Sequence, residues 1–301
     1  MRGIMIGAGK VTSPRGGSAR VAYFTSGMVG LVSPERDVLS TGRTHQPRIT
    51  PPHNLPAVRS SFVGREQETE EIKRELAMRR LLTLTGAGGS GKTRLALEVA
   101  RDLVETYPDG VWLVELAPLS EEALVPKAVA EALKVSERPG EPIADTLADV
   151  LGDRQLLLVM DNCEHLVGTT AGLVDRLLDS CPRVRILATS REALGVEGEA
   201  RWPVPSLSVP EQERTASSEQ LEAYESVRLF VERARERDST FSLGPENAAW
   251  VAEICRRLEG MPLAVELAAA RVGTLSLEQI AQRLTDSLKL LTGGARTAVD
   301  R

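Results

Sequence analysis

The stretch TLTGAGGSGKTRLA, residues 83–96, decides the fold of this chain. Four of its residues satisfy the spacing G-x-x-x-x-G-K-[ST], namely Gly86, Gly91, Lys92 and Thr93. The apolar run LLTLT stands directly before the glycines and the amphipathic run RLALEVARDLV follows them. A glycine-rich turn without a ligand is the alternative, but this order of strand, glycines and helix favours a phosphate-binding loop.

Each part of this loop suits one part of a nucleotide. The backbone N–H groups of a glycine run can converge on an anion, and the N-terminus of the following helix adds its dipole. Lys92 is placed to reach the terminal phosphates, and the Thr93 hydroxyl is placed to ligate Mg²⁺. The predicted nucleotide-binding residues of the loop are Gly86, Gly88, Gly89, Ser90, Gly91, Lys92, Thr93 and Arg94.

A phosphate site of this kind needs an acid at the end of another strand, and the run LLLVMDN provides Asp161. Alone, such an aspartate is more often a turn or cap residue, but beside the loop it indicates a Walker B acid that holds Mg²⁺ together with Thr93. The next residue is Asn162, whose amide cannot accept a proton from an attacking water. Glu164 is a candidate base by proximity, although CEH also suits the acidic first turn of a following helix.

A further strand, VRILAT, ends in SRE and brings Arg191 to the same edge of the predicted sheet. Arg191 could reach a γ-phosphate from there, and it joins Lys92 and Asp161 as a predicted catalytic residue. The alternative is a surface arginine paired with Glu192 or with solvent.

Composition indicates a globular protein and argues against a membrane-spanning protein and against one with a broad nucleic-acid-binding surface. The chain has 301 residues, 42% of them hydrophobic, and no apolar run approaches the roughly 20 residues of a membrane span. Residues 1–60 carry eight Lys or Arg against two Asp or Glu, which leaves 29 against 40 elsewhere, and this acidic body argues against a broad nucleic-acid footprint. Three cysteines without a CxxC pair indicate reduced thiols. We expect a cytoplasmic protein without membrane or direct nucleic-acid contacts.

The apolar runs predict an α/β protein. They are continuous and are separated by amphipathic segments, as in parallel strands that helices cover on both faces. We therefore predict a P-loop NTPase with an open, mostly parallel sheet and a fifth strand, ARWPVP, whose prolines confine it to an edge. The four central runs are LLTLT (81–85), GVWLVEL (110–116), QLLLVM (155–160) and VRILAT (184–189).

Three segments of different character follow one another along the chain. Residues 1–55 are rich in Pro, Gly and Ser and are predicted to be a disordered tail. Residues 56–212 are the predicted α/β nucleotide-binding domain, and Ser61 is placed to cap its first helix. Residues 213–301 show only helical patterns and are predicted to form a small four-helix lid. Apolar residues at i, i+3, i+4 and i+7 mark two of these helices: Val227, Phe230, Val231 and Ala234, then Val251, Ile254, Cys255 and Leu258.

The motifs stand together in one order: NLPAVRSSFVGRE, TLTGAGGSGKTRLALEVA, LLLVMDNCEH and ILATSREALGV, followed by LFVERAR and ICRRLEGMPLAVELAAARV. Over about residues 54–297 this combination resembles the signal-transduction ATPases with numerous domains (STAND). In particular, it resembles the NB-ARC-like module of large bacterial transcriptional regulators of the LuxR and SARP types.

The resemblance implies ATP or ADP with Mg²⁺ as cofactors. It implies that Val63, Gly64 and Arg65 lie near adenine and ribose. It also implies that Arg191 is the sensor arginine and that Pro262 packs on the base or sugar. Two other interpretations stay open, since VGRE also suits a plain helix entry and GMPL also suits a helix that begins with proline.

Members of that family usually continue into a winged-helix domain and further repeats, and many carry a DNA-binding helix-turn-helix. This chain stops at LLTGGARTAVDR, where the winged helix would begin, so that domain is expected to be absent. Our first hypothesis is a nucleotide-dependent switch with slow hydrolysis, which acts on protein partners or by self-association. The rival is a conventional P-loop ATPase coupled to a substrate or partner. A scaffold without nucleotide is disfavoured by Lys92, Thr93 and Asp161.

Overall fold

The computed structural model of the chain describes residues 50–211 and 218–284. Its centre is a sheet of five strands in the order β2-β3-β4-β1-β5, and every neighbouring pair is parallel. The predicted α/β class with an open parallel sheet is confirmed, and the fifth strand lies at an edge as its prolines require. The strands are β1 (Leu81–Thr85), β2 (Val111–Glu115), β3 (Leu157–Asp161), β4 (Arg185–Ser190) and β5 (Ala200–Pro203).

Helices cover the sheet and then continue alone toward the end of the described chain. The helices that accompany the sheet are α1 (Glu66–Met78), α2 (Lys92–Asp102), α3 (Val125–Ala132), α4 (Ile143–Leu151) and α5 (Val167–Ser180). Those after the sheet are α6 (Ser218–Leu221), α7 (Glu225–Arg237), α8 (Ala248–Arg257), α9 (Pro262–Ala269) and a helix over 277–284.

The strands are apolar throughout because both faces of the sheet are covered. Leu158 and Met160 of β3 pack into the core on the side of α3, α4 and α5, whereas Leu157 and Val159 pack into the core on the side of α1 and α2. All five residues of β3 are buried. The absence of an apolar and polar alternation in the sequence therefore has its physical cause in two separate hydrophobic layers.

The helices after the sheet have a core of their own. Val227, Phe230, Val231 and Ala234 are all buried in it, as their spacing predicts, and so are Val251, Ile254 and Cys255. Leu258 differs from the expectation, because α8 ends at Arg257 and Leu258 is only partly buried.

The GMPL motif ties this helical part to the segment that follows the sheet. Gly260 has φ 64°, and a side chain there would place its Cβ 2.0 Å from the carbonyl oxygen of Leu207. The Leu207 N–H donates to the Gly260 carbonyl at 3.0 Å. Only glycine permits this approach, so the turn before α9 lies directly against the segment after β5.

The end of the predicted tail is packed against the sheet. Residues 1–49 lie outside the described part of the chain, but Pro52 accepts a hydrogen bond from the N–H of Val111 at 3.1 Å. The side chain of Asn54 both accepts from and donates to the backbone of Leu113, at 2.6 and 2.8 Å, and Leu55 is buried. The predicted tail, residues 1–55, therefore extends too far. The contact of Asn54 was not visible in the sequence, because an amide side chain can bind the edge of β2 without any apolar periodicity around it.

The first helix begins later than its predicted cap. Helix α1 starts at Glu66, after Arg65 in the left-handed conformation, and no side chain among the described residues caps it. Ser61 was therefore wrongly predicted as the cap, and its backbone carbonyl instead accepts hydrogen bonds from Arg94 and Arg233. Within the described ranges, no helix is long and apolar enough to span a membrane.

Candidate nucleotide-binding site

The phosphate loop joins β1 to α2, as its sequence predicts, and Gly91 in the left-handed conformation leads into the helix. Lys92 is the first residue of α2, and its ammonium group donates to the carbonyl oxygens of Gly86 and Ala87, both at 2.9 Å. Burial lowers the pKa of Lys92 from its usual value, and the charges of Glu164 and Asp161 oppose this effect. The loop therefore holds a desolvated cation at its centre, where an anion would be bound strongly.

Asp161 is the last residue of β3 and lies against the start of α2. One oxygen of its carboxylate, Oδ1, accepts hydrogen bonds from the Thr93 hydroxyl at 2.7 Å and the Thr189 hydroxyl at 2.6 Å. A hydroxyl and a carboxylate are the hard oxygen ligands that Mg²⁺ prefers when it also keeps waters and contacts phosphates. Thr93 and Asp161 thus fit the predicted metal, and the chain brings them together.

Thr189 is a site residue to which the sequence assigned no role. Its hydroxyl donates to Asp161 and accepts from the backbone N–H of Asn162 at 2.9 Å, so it fixes the turn after β3. The pairing of Met160 with Ala188 places Asp161 and Thr189 side by side. The sequence does show that Thr189 is a hydroxyl residue near the end of a strand. Its contact with Asp161 could be predicted only with the knowledge that β3 and β4 are neighbours in the sheet.

Arg191 follows β4 and lies beside the phosphate loop. Its Nε donates to Glu164 Oε1 at 3.2 Å, and its Nη2 is 3.6 Å from the position that a Cβ of Gly88 would occupy. The Arg191 side chain is 68% exposed and that of Glu164 only 17%. The partner of Arg191 is therefore neither Glu192 nor solvent alone, but an acid on the turn after β3.

The opposite wall of the site belongs to α9. The N–H of Leu263 donates to the carbonyl of Gly89 at 3.2 Å, and a side chain at Gly89 would come within 3.0 Å of the Leu263 Cβ. Pro262, the first residue of α9, lies close to Gly91. Between these walls is a cavity of about 600 Å³, a volume in the range of small-molecule sites. Its lining includes Phe62, Val63, Arg65, Gly88, Gly89, Gly91, Lys92, Thr93, Arg94, Asn162, Glu164, Arg191, Pro262 and Glu266.

Arg65 lines this cavity, but its guanidinium group is bound to protein. Nη2 donates to the carbonyls of Ser90 and Pro205, both at 2.8 Å, and burial lowers its pKa, an effect that Glu68 and Glu225 oppose. The Arg65 backbone N–H donates to Glu225 at 2.7 Å. Arg65 therefore joins the phosphate loop, the segment after β5 and the start of α7.

The other predicted residues divide between the cavity and the protein behind it. Val63 lines the cavity, whereas Gly64 lies against Glu225. A Cβ at Gly64 would be 2.6 Å from the Oε1 atom of Glu225. Ser90 is buried, and its hydroxyl has no partner in the described part of the chain. Sequence reasoning missed Glu225, because an acid at the first turn of a helix is usually explained as a favourable dipole contact.

Arg94 is directed away from the phosphate loop toward α9. Its Nη1 donates to Glu266 Oε1 at 2.9 Å, and Arg233 of α7 donates to the same oxygen from Nε at 3.2 Å. We call this set of Arg94, Glu266 and Arg233 the Glu266 bridge. Ser60 and Ser61 supply further acceptors to its arginines. The bridge connects the first turn of α2, which carries Thr93, to two helices of the helical part.

The phosphate loop after β1, the acid at the end of β3 and the parallel sheet define this protein as a P-loop NTPase. Residues 76–196 match the family model described as an AAA domain, which agrees with that class. A fold of this class implies nucleotide binding, typically with Mg²⁺.

Individual known proteins are similar to this chain over longer stretches than the family model. An uncharacterized protein of Mycobacterium tuberculosis is 42% identical over 240 residues, which cover 80% of this chain and 58% of that protein. A putative HTH-type transcriptional regulator of the same organism is 45% identical over 226 residues, which cover 75% of this chain and 24% of the regulator. The Walker-type ATPase of Pyrococcus abyssi is similar in structure, with 16% sequence identity and a TM-score of 0.49. The match covers 79% of this chain and 75% of that ATPase.

The chain thus spans little more than half the length of the first of these relatives and a quarter of the second. These matches agree with the resemblance read from the motifs: the chain has a P-loop NTPase module that is related to part of a putative HTH-type transcriptional regulator.

Proposed function

We propose that the protein is a nucleotide-dependent conformational switch in which Mg²⁺ with ATP or ADP binds between the sheet and the helical part. One observation carries the proposal: the cavity has the phosphate loop as one wall and α9 as the other, and the two walls touch through the hydrogen bond from Leu263 to Gly89. A nucleotide in this cavity would contact both walls. Its phosphates would therefore change the free-energy difference between alternative arrangements of the two walls.

The contacts between the two parts include several charged hydrogen bonds, which suits an interface that changes. The Glu266 bridge joins α2 to α7 and α9 by charged hydrogen bonds, and Arg65 joins the phosphate loop to Glu225. Polar interfaces within a chain permit relative motion more readily than large apolar ones. We propose residues 56–212 as the nucleotide-binding domain and residues 213–301 as its lid. Val63 and Pro262 would contact the base or sugar.

We propose that Lys92 neutralises the terminal phosphates, that Thr93 and Asp161 hold Mg²⁺, and that Arg191 senses the γ-phosphate. Hydrolysis is expected to be slow because Asn162, directly after Asp161, cannot accept a proton, so that a base would have to come from elsewhere in the site. A turnover on the order of 10⁻³ per second, as for an unassisted GTPase, is expected. A rate above about 1 per second would favour a conventional ATPase instead.

The relation to transcriptional regulators supports a regulatory role. The regulator relative is longer than this chain, and proteins of that kind would supply domains that read the nucleotide state. We propose that this module acts through protein partners or by self-association, without direct nucleic-acid contacts of its own.

Nucleotide binding is tested by titration with fluorescent ADP and ATP analogues. Lys92→Ala is expected to weaken binding roughly 10- to 100-fold, because a buried charged hydrogen bond to phosphate is lost. Lys127→Ala is the matched control, since Lys127 is an exposed lysine of α3 paired only with Glu137 at 3.6 Å in the described chain. Equal affinity of a folded Lys92→Ala protein and the control would refute the site.

The switch itself is tested by hydrogen exchange. The Leu263 amide and its neighbours in α9 are expected to exchange at different rates with ADP and with a non-hydrolysable ATP analogue, because the contact to Gly89 depends on what the phosphate loop holds. Identical exchange over residues 262–269 in both states would count against a switch and in favour of the conventional ATPase.

A further inference from the structure

The acid best placed to accept a proton in this site is Glu164. It lies three residues after Asp161, in a short 3₁₀ turn over Cys163–His165, and it lines the cavity. One carboxylate oxygen, Oε1, accepts from Arg191, while the other, Oε2, is buried without a hydrogen-bond partner in the described part of the chain. A buried carboxylate oxygen without a donor is rare, and it indicates a position that another group is meant to fill.

The other acids that lie at the site already have assigned partners. Asp161 accepts two hydroxyl groups at one oxygen and is the expected metal ligand. Glu266, the other glutamate that lines the cavity, belongs to the opposite wall and accepts from two arginines. Asn162 lines the cavity but has no basic oxygen. Glu164 is therefore the acid with free acceptor capacity on the side of the loop where Lys92 and Arg191 lie.

We infer that Glu164 is the catalytic base for ATP hydrolysis and that its ion pair with Arg191 holds it inactive until a γ-phosphate draws Arg191 away. This inference rests on the proposed function. The pair is suited to exchange, because the Arg191 side chain is largely exposed and its Nη2 already lies beside Gly88 of the loop. Release of Arg191 takes a charged partner from Glu164, whose side chain is only 17% exposed, but a phosphate offers the guanidinium two parallel hydrogen bonds in place of one.

The step balances without any further reactant. A water oxygen attacks the γ-phosphorus while the bond between that phosphorus and the β,γ-bridging oxygen breaks. The water proton passes to the Glu164 carboxylate, and the electron pair of the broken bond stays on ADP, whose added negative charge Lys92 would offset. The inorganic phosphate that forms later takes the proton back from Glu164.

The test is single-turnover hydrolysis of radiolabelled ATP by the full chain carrying Glu164→Gln. Glutamine keeps the shape of the side chain but cannot accept the proton, so the rate is expected to fall 10²- to 10⁴-fold with ATP affinity kept within about threefold. Glu192→Gln is the matched control, because Glu192 is an exposed acid of the adjoining surface and its loss should leave the rate unchanged.

A Glu164→Gln protein that hydrolyses ATP within threefold of wild type would overturn the inference and leave the proposed binding function standing. Loss of ATP affinity in this variant would also overturn it, since Glu164 would then build the binding site instead of serving the reaction. Failure of the proposed function looks different, because the unmodified protein itself would then bind no nucleotide. A second variant, Glu164→Ala, should recover part of its rate with added formate, a small carboxylate, and no recovery would contradict a base at this position.

Discussion

The Glu266 bridge is expected to contribute to the free energy of unfolding, because it joins the helical part to the nucleotide-binding part. In Glu266→Ala, Arg94 and Arg233 each lose one charged hydrogen bond, of 2.9 and 3.2 Å. Neither arginine becomes an isolated buried charge, because Arg94 keeps Ser60 and Arg233 keeps Glu236. The cost is therefore that of two charged hydrogen bonds, reduced because about a third of the Glu266 and Arg94 side chains is exposed. We expect a loss of about 2 kcal/mol in the free energy of unfolding.

The assay is thermal unfolding without nucleotide, in which about 2 kcal/mol corresponds to a fall in Tm of about 4–8 °C for a protein of this size. Glu232→Ala is the matched control. Glu232 lies 3.5 Å from the same Arg233, but both residues belong to α7, so its removal leaves the link to α2 intact and should cost less than about 1 kcal/mol. Equal Tm values for the two variants would refute the reasoning, because the bridge would then add nothing beyond a local ion pair.

Three further predictions concern the metal acid, the sheet edge and the thiols. Asp161→Ala should weaken Mg²⁺-dependent ATP binding while metal-free ADP binding is largely kept, and equal loss of both in titrations would contradict a role through the metal. Asn54→Ala should cost about 1–2 kcal/mol in urea unfolding, because both of its bonds to Leu113 are lost, and an unchanged midpoint would mean that this edge contact is dispensable. The cysteines are all buried, and burial raises the pKa of Cys163 and of Cys255 to about 12. No thiol should therefore react with a disulfide reagent at pH 8 until the protein is unfolded.

The parts of this protein that sequence determined are those encoded within short stretches. The phosphate loop was recognisable because its glycines, Lys92 and Thr93 must stand at fixed spacing between a strand and a helix. The parallel sheet was recognisable because strands buried on both faces are continuously apolar. The same locality explains the prediction of Asp161, which ends such a strand.

Tertiary structure alone decided which side chains from distant stretches meet. Arg94 and Glu266 are 172 residues apart in the chain, and Arg65 and Glu225 are 160 apart, so no local pattern announces either contact. The pairing of Arg191 with Glu164, in place of Glu192, depends on β3 and β4 being neighbours in the sheet. Spacing within a helix or strand is set by backbone geometry and is visible in sequence. The partner of a charged side chain is set by the arrangement of whole elements, and only the fold determines it.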